Sequence, residues 1–149
     1  MSAIYDRVAL IGLGLIAGSM ARAMREKGLA REIVGHARSA ETRATAAEIG
    51  LVDRVFETAA EAVAGADLVV LAVPVGAMGD VAAEIAPHLE PGATVTDVGS
   101  VKQAVVQAVA PHLPDGVHFI PGHPLAGTEH SGPRSGFASL FQNRWWLFT

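Results

Sequence analysis

The chain contains no cysteine, which excludes a disulfide framework, a thiolate metal site and a cysteine nucleophile and is typical of a cytoplasmic protein. It also has no concentration of positive charge. Its Lys and Arg residues, 11 in all, are scattered and the formal net charge is −4, so nucleic-acid binding is not predicted. His118, His123 and His130 lack the regular spacing of metal ligands, and we predict no metal site.

Long hydrophobic runs are absent too. Leu68–Val75 is interrupted by Pro74 and is far shorter than the roughly 20 apolar residues that a transmembrane helix needs. Near the amino end, Arg7 followed by the small and apolar stretch Val8–Gly18 imitates a signal peptide. The same residues suit a strand and a glycine turn better, so we expect a cytoplasmic protein with no membrane partner.

Half of the 149 residues are hydrophobic, which suffices for one domain with a proper core and not for two. The most informative stretch lies near the amino end. There, Val8–Ile11 predicts a buried strand and Ile16–Lys27 a helix. Between them, Gly12, Gly14 and Ala17 follow the spacing GxGxx(G/A). This arrangement indicates the first βαβ unit of a dinucleotide-binding domain; the alternative is a glycine-rich turn without a ligand.

The chemistry of phosphate binding explains the residue types in this turn. Gly12 permits a tight turn, and Gly14 has no Cβ to hold a pyrophosphate away from the backbone. Ala17 is small enough for the helix to pack against the strand. The phosphates then meet free N–H groups at the positive end of the helix dipole.

A second strand, Glu32–His36, is expected to end beside the ribose of the adenosine. The acid expected about 20 residues beyond the glycine turn would fall near Ala37, which is not a carboxylate. Arg38 and Ser39 follow instead, and they suit a 2′-phosphate. We therefore expect NADP to be preferred, with NAD possible. In the alternative interpretation, Arg38 is solvated and Ser39 only caps the next helix.

The rest of the chain alternates between helical and strand patterns. We predict helices at Ser39–Ile49, from Thr58 up to Gly65, at Met78–Pro87 and at Val101–Ala110, and strands at Val52–Phe56, Leu68–Val73, Ala93–Val98 and Val117–Ile120. Six strands with intervening helices predict an α/β, Rossmann-type doubly wound, mainly parallel sheet in a single domain, residues 1–149. A short helix at Pro133–Phe141 and an edge strand at Trp145–Thr149 complete the prediction.

Two of the predicted strand ends are rich in polar residues, at positions 96–102 and 121–132. Both are expected to open onto the crevice that holds a nicotinamide. Hydride transfer needs a group that takes the proton from the carbon-bound hydroxyl, and His123 is the candidate, with Ser100 placed to orient it. The alternative for His123 is a loop histidine bonded to the backbone.

Three further polar residues at these strand ends have two interpretations each. Asp97 either braces its loop or takes part in the site. Lys102 either lies at a helix start or contacts substrate, and Glu129 is either a solvated loop charge or a substrate contact. The sequence leaves these alternatives open.

Three segments together resemble the prephenate and arogenate dehydrogenase family of tyrosine biosynthesis. They are GLGLIAGS at 12–19, TDVGSVK at 96–102 and GHPLAGTEHSG at 122–132. They occur in the family's order across essentially the whole chain, and HPLAGTE is far more specific than the glycine turn. The resemblance implies an NAD(P)-dependent oxidative decarboxylation of a small molecule, prephenate or arogenate.

The resemblance also implies roles for individual residues. His123 would bond to the ring hydroxyl as it is oxidised, Ser100 would support that hydroxyl or His123, and hydride would pass to the nicotinamide while CO₂ leaves. Glu129 resembles a loop position near the mouth of the substrate site. The residues expected to hold the cofactor are Gly12, Gly14, Leu15, Ile16, Ala17, His36, Arg38, Ser39, Val73 and Pro74.

The chain departs from the family in two respects. The family commonly has an acid where this chain has Ala37, which agrees with a preference for NADP. Family members also usually continue into a helical domain that forms a homodimer and contributes substrate-binding residues, and that domain is absent from these 149 residues. We therefore expect either a fragment or separately made cofactor domain, or a partner half on another polypeptide, and for this chain alone nucleotide binding with weak or no turnover. The competing interpretations are a stand-alone NAD(P)-binding module without turnover and another small-acid dehydrogenase.

Overall fold

A six-stranded parallel sheet forms the centre of the computed structural model, which describes residues 3–99, 101–124 and 146–148. The strands are β1 (Tyr5–Ile11), β2 (Ala30–His36), β3 (Arg54–Phe56), β4 (Leu68–Leu71), β5 (Thr94–Asp97) and β6 (His118–Ile120). They lie in the order β3-β2-β1-β4-β5-β6, and every neighbouring pair is parallel. The direction of winding reverses between β1 and β4, which is the usual position of a ligand crevice in such sheets.

Helices cover both faces of this sheet. They are α1 (Leu15–Lys27), α2 (Ala40–Glu48), α3 (Ala59–Val63), α4 (Val75–Ile85) and α5 (Lys102–Val109), with 3₁₀ turns at Ala86–His88 and Ala110–His112. The prediction of a doubly wound Rossmann-type domain is therefore confirmed. Of the helices in the described ranges, none is both long enough and apolar enough to cross a membrane.

The core has two halves, one on each face of the sheet. On one face, Ala9 and Ile11 of β1 pack with residues of α3, α4 and α5. On the other face, Val8 and Leu10 pack with residues of α1 and α2. All four side chains are fully buried. Burial on both faces explains why this strand is a continuous apolar run instead of an alternating pattern.

The structure corrects the predicted boundary between β4 and α4. The strand ends at Leu71 and not at Val73, and the helix begins at Val75, before the predicted start at Met78. Pro74 is the residue that caps the helix, with φ −55°. Its ring fixes φ near the value that a helix start needs, so proline here opens the helix, and the strand has already ended at Leu71.

A second correction concerns the end of the chain. Trp146–Phe148 (β8) is a strand, but it pairs antiparallel with Gly122–Pro124 (β7) in a separate two-stranded sheet and is not an edge of the central sheet. The sequence did not predict β7, because glycine and proline are both disfavoured in strands. The predicted helix at Pro133–Phe141 lies outside the described residues.

Gly12 is the residue at which the chain leaves β1 and passes the end of β4. Its φ is 100°, and a Cβ added there would lie 2.4 Å from the carbonyl oxygen of Ala72. Its N–H donates to the carbonyl oxygen of His36 at 2.8 Å, next to the end of β2. Both the dihedral angle and the close approach therefore require glycine.

We predict that Gly12→Ala lowers the free energy of unfolding by at least about 2 kcal/mol, because the new Cβ combines a strained φ with a backbone clash. Urea unfolding followed by circular dichroism measures the change. Gly76→Ala is the matched control, since Gly76 lies in α4 and a Cβ there meets no described atom within 4 Å. The control should be neutral or stabilising, and equal unfolding midpoints for the two variants would contradict the prediction.

Candidate functional site

The amino end of α1 has the features of an anion-binding site. Gly14 occupies the N-cap position and has no side chain to cap the helix, and the first turn contains no acidic residue. The first N–H groups of a helix have no partner within the helix, and its dipole is positive at this end. A Cβ on Gly14 would meet no described atom within 4 Å, so the space beside these N–H groups is open. These residues fit a pyrophosphate.

The helix is held against the sheet by small residues. Ala17 is fully buried, as predicted, and Leu13 packs so closely on β2 that a Cβ on Gly35 would lie 2.9 Å from its side chain. Leu15 and Ile16 are half-buried in the first turn of α1. The turn and the helix start are therefore fixed in position by the core beneath them.

A cavity of about 530 Å³ opens beside this turn, at the carboxyl ends of β1 and β2. It is lined by Ile11, Gly12, His36, Ala37, Arg38, Ala59, Val73, Pro74, Ala77, Asp80, Val81 and Glu84. The lining includes five of the predicted cofactor residues: Gly12, His36, Arg38, Val73 and Pro74. The other five, Gly14, Leu15, Ile16, Ala17 and Ser39, lie at the starts of α1 and α2 and do not line it.

The end of β2 presents an imidazole to the cavity and a guanidinium at its rim. His36 Nδ1 lies 3.0 Å from the carbonyl oxygen of Phe56. Because a carbonyl only accepts, Nδ1 carries the hydrogen and Nε2 is the ring nitrogen left for another contact. Arg38 is exposed. The Ser39 hydroxyl accepts from the N–H of Thr42 at 3.4 Å and caps α2, and a hydroxyl that caps a helix can still contact a ligand.

Sequence reasoning missed three charged residues near this cavity. Arg43 of α2 donates to the carbonyl oxygens of Ala37 at 2.8 Å and of Arg38 at 3.0 Å, and so holds the backbone that carries the Arg38 side chain. Asp80 and Glu84 of α4 also line the cavity. Their spacing of four residues puts them on one face of the helix, and this signal was readable in the sequence.

A second cluster lies at the end of β5. The Asp97 side chain is fully buried; its Oδ2 accepts from the N–H of Gly99 at 2.8 Å and its Oδ1 from the N–H of Gly122 at 3.2 Å. Lys102, at the start of α5, donates through Nζ to Asp97 Oδ2 and to the carbonyl oxygen of Gly122. Its side chain is only 16% exposed. The structure therefore places Lys102 in the bracing of this loop.

The predicted catalytic residues lie next to this cluster in the chain. His123 is in β7, where it pairs with Leu147 and directly follows Gly122. Ser100 lies between Gly99 and Val101 and is itself outside the described residues, as is Glu129. The structure thus brings the backbone before His123 into contact with Asp97, at the same edge of the sheet as the glycine turn.

Comparison with known proteins gives a consistent family. Residues 20–149 match the model of the "Prephenate dehydrogenase, nucleotide-binding domain" family. A cyclohexadienyl dehydrogenase from Zymomonas mobilis is 43% identical over 140 residues, which cover 94% of this chain and 47% of that protein.

Solved structures agree with this match. Prephenate dehydrogenase from A. aeolicus, in complex with hydroxyphenyl propionate and NAD⁺, superposes with a TM-score of 0.87 at 30% identity, over 97% of this chain and 50% of that one. Synechocystis arogenate dehydrogenase gives 0.85 at 32%, over 96% and 49%. The chain thus spans about half the length of these relatives. It belongs to the family of prephenate dehydrogenase nucleotide-binding domains.

Proposed function

We propose that this chain is the nucleotide-binding half of an NAD(P)-dependent dehydrogenase that oxidatively decarboxylates prephenate or arogenate in tyrosine biosynthesis. The observation that carries the proposal is the arrangement at one edge of the sheet. The helix start at Gly14 suits a pyrophosphate, and the segment that carries His123 is anchored to the end of β5 at the same edge. A dehydrogenase needs both halves of this arrangement side by side.

The residues present suit the parts of a dinucleotide in turn. The pyrophosphate would lie on the N–H groups that follow Gly14. The adenosine would occupy the cavity beside His36. A 2′-phosphate would meet Arg38, which lies just beyond the end of β2 and lines this cavity. This distribution of charge supports NADP as the preferred cofactor, with NAD possible, because no carboxylate stands at Ala37 to bind a free 2′-hydroxyl and repel a phosphate.

The chain's own chemical task in this reaction is to accept one proton from the ring hydroxyl during the oxidation and to return it once the ring is aromatic. The nicotinamide, when bound, supplies the hydride acceptor. His123 takes the proton from the ring hydroxyl as the carbon that bears it is oxidised, and Ser100 orients that hydroxyl or the imidazole. The electron pair of the breaking C–CO₂ bond enters the ring, which becomes aromatic, and the phenolate oxygen so formed takes the proton back from the imidazolium of His123. The enzyme therefore needs alignment and a single base more than it needs strong acid catalysis.

The first prediction tests pyrophosphate binding. Gly14→Ala should weaken dinucleotide binding about tenfold or more, because a methyl group would stand where a charged ligand approaches the backbone N–H groups. Isothermal titration with NADP⁺ and NAD⁺ measures the loss. The urea unfolding midpoint should fall only slightly, since this Cβ meets no described atom and alanine is less favourable than glycine at an N-cap. Unaltered affinity would place the phosphates elsewhere.

The second prediction concerns the 2′-phosphate. Arg38→Ala should weaken NADP⁺ binding about tenfold and leave NAD⁺ binding nearly unchanged, because a guanidinium on phosphate makes charge-assisted hydrogen bonds. Arg31→Ala is the control. Arg31 lies near the start of β2, whereas Arg38 follows the end of that strand, and the Arg31 side chain is 71% exposed. Tighter binding of NAD⁺ than of NADP⁺ to the unaltered protein, or an unchanged NADP⁺ constant in Arg38→Ala, would refute the preference.

The third prediction concerns turnover. In the complete enzyme that contains this domain, His123→Asn should lower kcat by about two to four orders of magnitude, with dinucleotide affinity little changed, because the proton acceptor is lost. His118→Asn is the matched control, because His118 is exposed and begins β6, at the amino ends of the parallel strands, whereas the proposed site lies at their carboxyl ends. A near-normal rate in His123→Asn would remove this residue from the mechanism. Tight nucleotide binding without turnover in the unaltered complete enzyme would favour a binding module.

A further inference from the structure

We propose that Asp97 and Lys102 act as positioning residues that fix the segment carrying His123 for hydride transfer. The inference rests on the proposed function and adds two residues that act through the backbone and do not touch substrate. It starts from the buried pair at the end of β5. Asp97 is fully buried and Lys102 nearly so. A buried charge that has lost its partner is strongly destabilising, so each of these two side chains depends on the other.

The two side chains hold Gly122 at two points. Asp97 Oδ1 accepts from the N–H of Gly122 at 3.2 Å, and Lys102 Nζ donates to the carbonyl oxygen of the same residue. With both polar groups of Gly122 bound, the peptide planes on its two sides are oriented. The second of these planes leads directly into His123, so the pair fixes the backbone immediately before that residue.

The same carboxylate also holds the chain next to the other predicted catalytic residue. Asp97 Oδ2 accepts from the N–H of Gly99 and from Lys102. These two residues stand on either side of position 100 in the sequence. A single buried carboxylate therefore fixes the backbone before Ser100, the residue that opens α5 after it, and the backbone before His123.

The alternative is that Asp97 and Lys102 only stabilise the fold. A stabilising role and a positioning role have different consequences for the rate of the folded enzyme. Two strand ends can be joined by apolar packing at least as stably as by a buried ion pair. Side chains that only stabilise the fold change the fraction folded, and not the rate of the folded enzyme. Side chains that set the direction of a catalytic residue change kcat, since a displacement of about 1 Å can cost about 100-fold in rate.

The test compares variants of the complete enzyme. Lys102→Met keeps an unbranched side chain that is one atom shorter and removes the donor to Gly122, and Asp97→Asn keeps the shape and removes the charge. For both we expect kcat to fall about 10- to 100-fold in the folded protein, with a dinucleotide Kd within about twofold of the original. Lys27→Met is the control, because Lys27 is an exposed lysine at the end of α1.

A kinetic isotope effect provides the readout that a structural role would not move. With substrate deuterated at the carbon that loses hydride, misaligned variants should show a larger isotope effect on kcat than the original enzyme, because hydride transfer becomes rate-limiting. Lys102→Arg keeps the charge and should recover part of the rate. If Lys102→Met does not fold, Lys102→Arg becomes the test. Its kcat should then be lower, and its isotope effect larger, than those of the original enzyme.

The outcomes distinguish this proposal from the proposed function. If His123→Asn abolishes turnover while the Asp97 and Lys102 variants change stability only, the positioning role is refuted and the dehydrogenase stands. If His123→Asn leaves turnover intact, the proposed mechanism fails first. Equal kcat and isotope effect in Lys102→Met, Lys102→Arg and the unaltered enzyme would overturn the inference.

Discussion

The close passage of Gly12 beneath the end of β4 is the constraint on which the nucleotide site depends. Its φ of 100° turns the chain out of β1, and the approach to the Ala72 carbonyl leaves no room for a side chain. The N–H of Gly12 also bonds to the carbonyl of His36. Gly12 thus fixes the ends of β1, β2 and β4 relative to the start of α1. The cavity opens beside this turn, so its position depends on the same residue.

A parallel sheet brings the two parts of the site together without direct contact between them. Because all six strands of the described central sheet run in one direction, their carboxyl ends lie along one edge. The glycine turn follows β1, and the cluster around Asp97 follows β5, with β4 between them. The glycine turn offers backbone N–H groups, and the cluster at the end of β5 is held together by the buried carboxylate of Asp97. The apolar strands that separate them determine the spacing, so the core positions the chemistry.

Most of the fold could be predicted because its determinants are local. Buried strands such as Val8–Ile11 are continuous apolar runs, and glycines end the helices between them. The helix start at Val75 was predicted three residues late, at Met78, because Val75 and Gly76 both have low helix propensity. The partners of Lys102 were beyond sequence reasoning. They depend on where Gly122, 20 residues further along the chain, returns to the sheet.

The net charge of the chain is −4, so the 2′-phosphate proposed to bind beside Arg38 needs local positive charge. An isolated exposed arginine contributes little, because its side chain must be ordered and its charge is screened. Arg43 alters that balance for Arg38 by bonding to the carbonyl oxygens of Ala37 and Arg38, which orders the backbone in advance. It also adds a second positive charge nearby. Selectivity for a 2′-phosphate, as proposed for this site, therefore depends on a pair of arginines with unequal tasks, one to contact the ligand and one to hold the loop.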